Sequence, residues 1–130
     1  MAEKKVMVVD DEIHIVHVVA VKLRNNGYEV VTADNGATGF ELAIKERPDI
    51  IVADYQMPIM SGLEMIEKLR AEDLTKSIPV IMLTARSFAV EDERKNALGI
   101  SSCLSKPFSP KELLRNIEDV LCQSRMVVNE

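Results

Sequence analysis

Short apolar runs rich in β-branched residues alternate along this chain with stretches of helical period. The runs are Lys5 to Val9, Tyr28 to Ala33, Ile50 to Ala53 and Val80 to Leu83, with a weaker one around Cys103 to Ser105. Three of them are apolar throughout rather than alternating. Central strands of a parallel sheet have that character, because helices cover both of their faces.

Between the runs the period lengthens to that of a helix. Val16, Val19, Ala20 and Leu23 fall at i, i+3, i+4 and i+7, which gives a first helix one sheet-facing stripe, and Gly27 supplies its stop. Ala37, Phe40 and Ile44 do the same for a second helix that Pro48 helps to end, and Leu63, Ile66 and Leu69 mark a third. Glu91 to Leu98 reads as a fourth, acidic early and basic later with little apolar face, and so the least firmly packed. The fifth has the clearest start. Ser109 caps, Pro110 suits the first helical position and Glu112 completes a capping box ahead of Leu113, Leu114, Ile117, Val120 and Leu121. Residues 123–130 are then a short tail.

Five strand-helix units within about 120 residues, joined by right-handed crossovers, predict an α/β fold with a doubly wound parallel sheet. The 130 residues suit one domain and contain no evident linker or repeat. The N-terminal apolar run is too short for a signal peptide or a membrane span, so a cytoplasmic protein is expected. Cys103 and Cys122 are too few for a disulfide framework or a zinc site. A net charge of −5 without a basic block argues against nucleic acid or an anionic membrane as direct partner. A protein, or a small anion held through a cation, fits better.

In open α/β sheets ligands bind beyond the carboxyl ends of the strands, so the residues just after each apolar run carry the chemistry. These are Asp10 and Asp11 after the first run, Asp54 after the third, Thr84 after the fourth and Lys106 after the fifth. Each has an ordinary explanation alone: an acidic helix start for Asp10-Asp11-Glu12, a turn residue for Asp54, a strand end for Thr84, a solvated charge for Lys106. One site accounts for all five together. Clustered carboxylates repel unless a proton or a cation intervenes, and magnesium, a hard ion that keeps waters and accepts phosphate oxygens, suits them. Lys106 then supplies a second cation for a phosphoryl group in transfer, and a carboxylate open to the loop side is the natural nucleophile.

These residues resemble the receiver domain of two-component response regulators over residues 4–122. The matching stretches are Val8-Val9-Asp10-Asp11-Glu12, Asp54-Tyr55-Gln56-Met57-Pro58-Ile59-Met60-Ser61-Gly62, Thr84-Ala85 and Ser105-Lys106-Pro107-Phe108. The resemblance implies a flavodoxin-like sheet of order 2-1-3-4-5 flanked by five helices. It also implies that Asp54 receives a phosphoryl group from a phosphohistidine on a sensor histidine kinase or histidine phosphotransfer protein. Asp11 and Asp54 would ligate Mg2+ directly, with the Gln56 carbonyl, while Asp10 acts largely through water. Thr84, the Ala85 N–H and Lys106 would hold phosphoryl oxygens, and Gln56 and Arg86 flank the site where phosphate lifetime is set. The result is a switch acting on a downstream output protein or domain, which promotes its own phosphorylation and dephosphorylation but is not a turnover enzyme.

One departure stands out. Cys103 occupies the fifth-strand position, three residues before the lysine, where most family members carry Tyr or Phe, so ring rotation cannot report the event here. In the first helix, Ile15, Val18 and Val21 form a second apolar stripe that the sheet cannot also bury. Beside Asp11 and near Pro107, that stripe is expected to dock on the helices that present the donor histidine. His14 and His17 read as surface residues.

Two alternatives stay open. One is a haloacid-dehalogenase-type phosphatase, although Asp10-Asp11-Glu12 lacks that family's Asp-x-Asp. The other is a receiver-like interaction module that is no longer phosphorylated. No output domain is read after the fifth helix, which leaves a stand-alone receiver or the N-terminal piece of a longer regulator. A weak homodimer through the fourth and fifth helices also stays open.

Overall fold

The computed structural model describes residues 4–84 and 98–128, with side chains described as far as Cys122. Five parallel strands form one sheet in the order β2-β1-β3-β4-β5. They are β1 (Lys5–Val9), β2 (Glu29–Ala33), β3 (Ile50–Asp54), β4 (Val80–Thr84) and β5 (Ile100–Ser105). The helices among the described residues are α1 (Ile13–Arg24), α2 (Gly36–Glu46), α3 (Gly62–Arg70) and α4 (Pro110–Val128). The helix expected over 91–98 falls on residues 91–97, which lie outside the described residues, and Leu98 is in a turn. Residues 123–128 continue α4.

The sheet has two covered faces. Val6, Val8, Val52, Ile81, Leu83 and Leu104 pack with Val19, Ala20 and Leu23 of α1 and with Leu113, Ile117 and Val120 of α4. Met7, Val9, Ile51, Ala53, Val80 and Met82 point the other way, toward Ala43 of α2 and toward Met65, Ile66 and Leu69 of α3. The alternation along each strand thus feeds two cores. Every residue of β3 and β4 is buried, as wholly apolar runs require. β5 is a partly exposed edge whose register shifts opposite Val80 and Ile81.

Two details differ from the sequence pattern. In α2 the buried residues are Gly36, Gly39 and Ala43, whereas Ala37, Phe40 and Ile44 are only half-buried. The helix lies so close that a Cβ at Gly39 would stand 2.8 Å from Met65 Sδ, so the contact face is made of its smallest residues. In α1, Val16 is half-buried rather than buried. Two other helix signals are seen: Gly27 has φ +89°, and Ser109 Oγ accepts from Glu112 N at 3.0 Å ahead of Pro110. α3 opens on a full capping box between Ser61 and Glu64.

Candidate phosphoacceptor site

All strands run parallel, so their carboxyl ends share one edge, and Asp10, Asp54, Thr84 and Lys106 stand along it. Asp54 and Thr84 are the last residues of β3 and β4 rather than the first beyond them. Asp10 follows β1 directly, and its N–H donates to Ala33 O at 3.1 Å. Lys106 follows β5, tied back by its own N–H to Thr84 O at 2.8 Å. Its peptide bond to Pro107 is cis.

Lys106 Nζ is the centre of the site. It lies 2.8 Å from Glu12 Oε1, 3.0 Å from Asp10 Oδ2 and 3.4 Å from Asp54 Oδ2. Asp10 is fully buried, and its Oδ1 accepts from Glu12 N at 3.0 Å. Its Oδ2 is ion-paired to the ammonium and has no hydrogen-bond partner among the described residues. Carboxylate oxygens of Asp10, Glu12 and Asp54 all lie within 4.8 Å of one another. A buried, unbonded carboxylate oxygen in a group of three is a donor set that fits a hard divalent cation.

The same crowding perturbs proton affinities. Burial first, and then the Asp10 charge, push the Asp54 carboxyl up to about 6 against the opposing pull of Lys106. Burial works against the Lys106 ammonium, but the Glu12 and Asp10 carboxylates overcome it and hold its proton above the ordinary lysine range. The hydrogen bond from Lys106 keeps Glu12 below the usual carboxylate range.

The loop after β3 is shaped by backbone. A Cβ at Gly62 would stand 2.0 Å from the Asp54 carbonyl oxygen, so only glycine lets α3 begin there. Gly62 N then donates to Tyr55 O at 3.1 Å, and Met60 O accepts from Gly36 N at 3.1 Å. Both bonds hold the loop that carries Gln56.

The remaining candidates are placed less uniformly. Asp11 and Gln56 are exposed, and Asp11 stands outside the carboxylate cluster, which Glu12 enters instead. Thr84 is 2% exposed at the site edge, whereas Ala85 and Arg86 lie outside the described residues. Of the proposed docking stripe, Val18 and Val21 are exposed, but Ile15 packs half-buried against the α1–α4 core. Ile13 is 75% exposed at the start of α1, although its spacing aligns it with Val16 and Ala20. A groove of about 510 Å³ opens beside the lysine, lined by His14, Ile15, Val18, Pro107 and Phe108 among others. Cys103 is partly buried on the α2–α3 side of β5, next to Met82 in register. Sequence reasoning missed Glu12 as a member of the site, although it stands in the acidic run after β1.

A match to the response regulator receiver domain family covers residues 6–118. The chain belongs to that family. It is 37% identical over 93% of its length to a phosphate regulon transcriptional regulatory protein, PhoB, of Pseudomonas aeruginosa, covering 53% of that protein. It is 36% identical to the alkaline phosphatase synthesis transcriptional regulatory protein PhoP of Bacillus subtilis, over 95% of this chain and 50% of that one. The chain therefore spans about half the length of these curated relatives. Among solved structures, the chemotaxis protein CheY4 of Vibrio cholerae superposes with a TM-score of 0.85 at 37% identity, covering 92% of this chain and 99% of that one. The receiver domain of a Pseudomonas aeruginosa sensor histidine kinase gives a TM-score of 0.82 at 28% identity over 92% and 98% of the two chains. That structure has a magnesium ion coordinated in its active-site cleft. No helix among the described residues is long and apolar enough to cross a membrane.

Proposed function

We propose that this receiver domain is a phosphoacceptor switch in which Asp54 takes a phosphoryl group from the phosphohistidine of a sensor histidine kinase or a histidine phosphotransfer protein. The observation that carries the reading is the position of Lys106 Nζ, within 3.4 Å of both the Asp54 carboxylate at the end of β3 and the buried Asp10 carboxylate at the end of β1. A fixed cation at that point meets charge that develops on a phosphoryl oxygen in transfer.

In the forward step an Asp54 carboxylate oxygen attacks phosphorus, the phosphorus–nitrogen bond of the phosphohistidine breaks, and the imidazole leaves with the electron pair and takes a proton. Lys106 holds one phosphoryl oxygen, while the Thr84 hydroxyl and the Ala85 N–H donate to others. Water attacking the same phosphorus breaks its bond to the Asp54 oxygen, releases inorganic phosphate and restores the carboxylate, so the chain ends its own signal. Asp10, Asp11, Asp54 and the Gln56 carbonyl are the groups that would hold Mg2+, with Asp10 acting largely through water. The ion supplies neutralisation of the carboxylates and of the phosphoryl charge. Gln56, exposed on the loop after β3, tunes access of the hydrolytic water.

Phosphorylation shifts the balance between two conformations of the domain. With Cys103 in place of a ring on β5, the change travels through Thr84 and the backbone bond between β4 and β5 rather than through ring rotation. The partner downstream is an output protein or domain, and the donor's helices dock along Val18, Val21, Ile15 and Pro107 beside the groove. Incubation with acetyl phosphate tests the reading. Wild type is expected to gain one phosphoryl mass in magnesium and none in EDTA, with Asp54→Asn unmodified. Equal labelling of Asp54→Asn, or steady phosphate release from unrelated phosphomonoesters, would overturn it.

A further inference from the structure

Glu12 is the N-cap residue of α1, where an acidic side chain ordinarily accepts from the helix's first N–H groups. Here it makes no such bond. Its Oε1 reaches Lys106 Nζ at 2.8 Å instead, closer than either Asp10 at 3.0 Å or Asp54 at 3.4 Å. The side chain forgoes the cap for the lysine. Resting on the phosphoacceptor reading above, we infer that Glu12 is a detachable placeholder: it occupies Lys106 while no phosphoryl group is present and must release it before the lysine pairs with one.

The three acids that share Lys106 differ in what they can give up. An ammonium has three N–H donors, and three carboxylates surround this one. Asp10 is fully buried and has no water to turn to. Asp54 is the group that carries the phosphoryl unit. Glu12 is the rim member, its side chain 45% exposed on a flexible stem, so water replaces the lysine at little cost. An incoming phosphoryl group is an anion, which repels Glu12 and attracts Lys106. The exchange breaks no covalent bond, and Lys106 keeps its proton throughout.

This arrangement makes an asymmetric prediction. The Glu12 charge favours a cation in the cluster and disfavours an anion at Lys106, so removing it has opposite effects on the two. A residue that merely shaped the loop would move both affinities the same way. Glu12 is thus a positioning residue for Lys106, exerting its effect through that side chain.

Calorimetric titration of the whole chain separates the cases. Magnesium is titrated first alone, and beryllofluoride, which mimics a phosphoryl group, is then titrated at saturating magnesium. Glu12→Gln is expected to bind magnesium about fivefold more weakly and beryllofluoride about fivefold more tightly, the size of one unit charge acting over ~4 Å in a solvated setting. Glu12→Asp keeps the charge and returns magnesium affinity toward wild type. Unchanged affinities, or a fall in both, would overturn the inference while leaving Asp54 as phosphoacceptor. Wild type that binds no beryllofluoride in magnesium would overturn both.

Discussion

Lys106 Nζ stands 3.0 Å from Asp10 Oδ2, an oxygen that is buried and has no hydrogen-bond partner among the described residues. The lysine therefore offsets a charge that water does not reach. Lys106→Ala is expected to lower the stability of the metal-free chain by about 1–3 kcal/mol. That is less than the full cost of orphaning a buried charge, because the carboxylates can share a proton. Urea unfolding in EDTA measures this, and magnesium should restore part of the loss. An unchanged midpoint in EDTA would contradict the role given to Lys106.

Asp54 sets a pH dependence whose sign follows from burial. Its folded value of about 6 lies above the ordinary 3.8. Below about pH 4 the group is protonated in both folded and unfolded chains and contributes nothing to the difference. From about pH 4 to 6 the unfolded chain loses that proton first, so metal-free stability falls, and above about pH 6 the cost of the buried charge is complete. Allowing for partial solvent screening, that cost is on the order of 1–2 kcal/mol. Asp54→Asn should be the more stable protein in EDTA at neutral pH, with the gap closing toward pH ~4. A gap that ignores pH would be the contrary result.

Arg70 braces the opposite edge of the sheet. Its Nε donates to Leu98 O at 2.5 Å, Nη1 to Thr75 O and Lys76 O at 3.2 Å each, and Nη2 to Gly99 O at 3.2 Å. One planar guanidinium thus joins the end of α3 and the loop after it to the start of β5. Arg70→Ala is expected to cost about 2–4 kcal/mol, and Arg70→Lys to recover only part, because an ammonium cannot span those carbonyls. Thermal unfolding reads the loss. Magnesium affinity should change little, and a large fall in it would show that the edge is coupled to the site.

Val18 is half exposed on α1 and lines the groove beside Lys106 and Pro107. Val18→Glu places a charge on that surface without touching the carboxylates. Transfer from a phosphorylated kinase or phosphotransfer protein should slow at least about tenfold, the scale of a desolvated charge in an apolar contact, while labelling by acetyl phosphate stays near wild type. Parallel losses with both donors would place Val18 in the fold rather than in docking.

The architecture was legible because its causes are local. Wholly apolar runs such as Ile50 to Ala53 announce buried parallel strands, and the topology then brings Asp10, Asp54, Thr84 and Lys106 to one edge whatever the loops do. What the pattern could not tell is decided by proximity. Gly36 and Gly39 lie on the buried face of α2 because Met60 stands so near the first and Met65 and Val9 so near the second, a fact that no hydropathy period encodes. Glu12 and Asp11 are adjacent acids of equal appearance, and only the reach of the side chains around Lys106 separates them. Ile15 likewise has the sequence signature of its exposed neighbours Val18 and Val21, yet it packs half-buried against the core.

The phosphoryl group is expected to reside on Asp54. Acyl phosphates are reduced by borohydride, which converts the modified aspartate to homoserine and marks its position. After acetyl phosphate and magnesium, peptide mass mapping should find homoserine at position 54 and at no other acid of the cluster. Conversion at Asp10, Asp11 or Glu12 instead, or none in a protein shown to bind magnesium, would contradict the account.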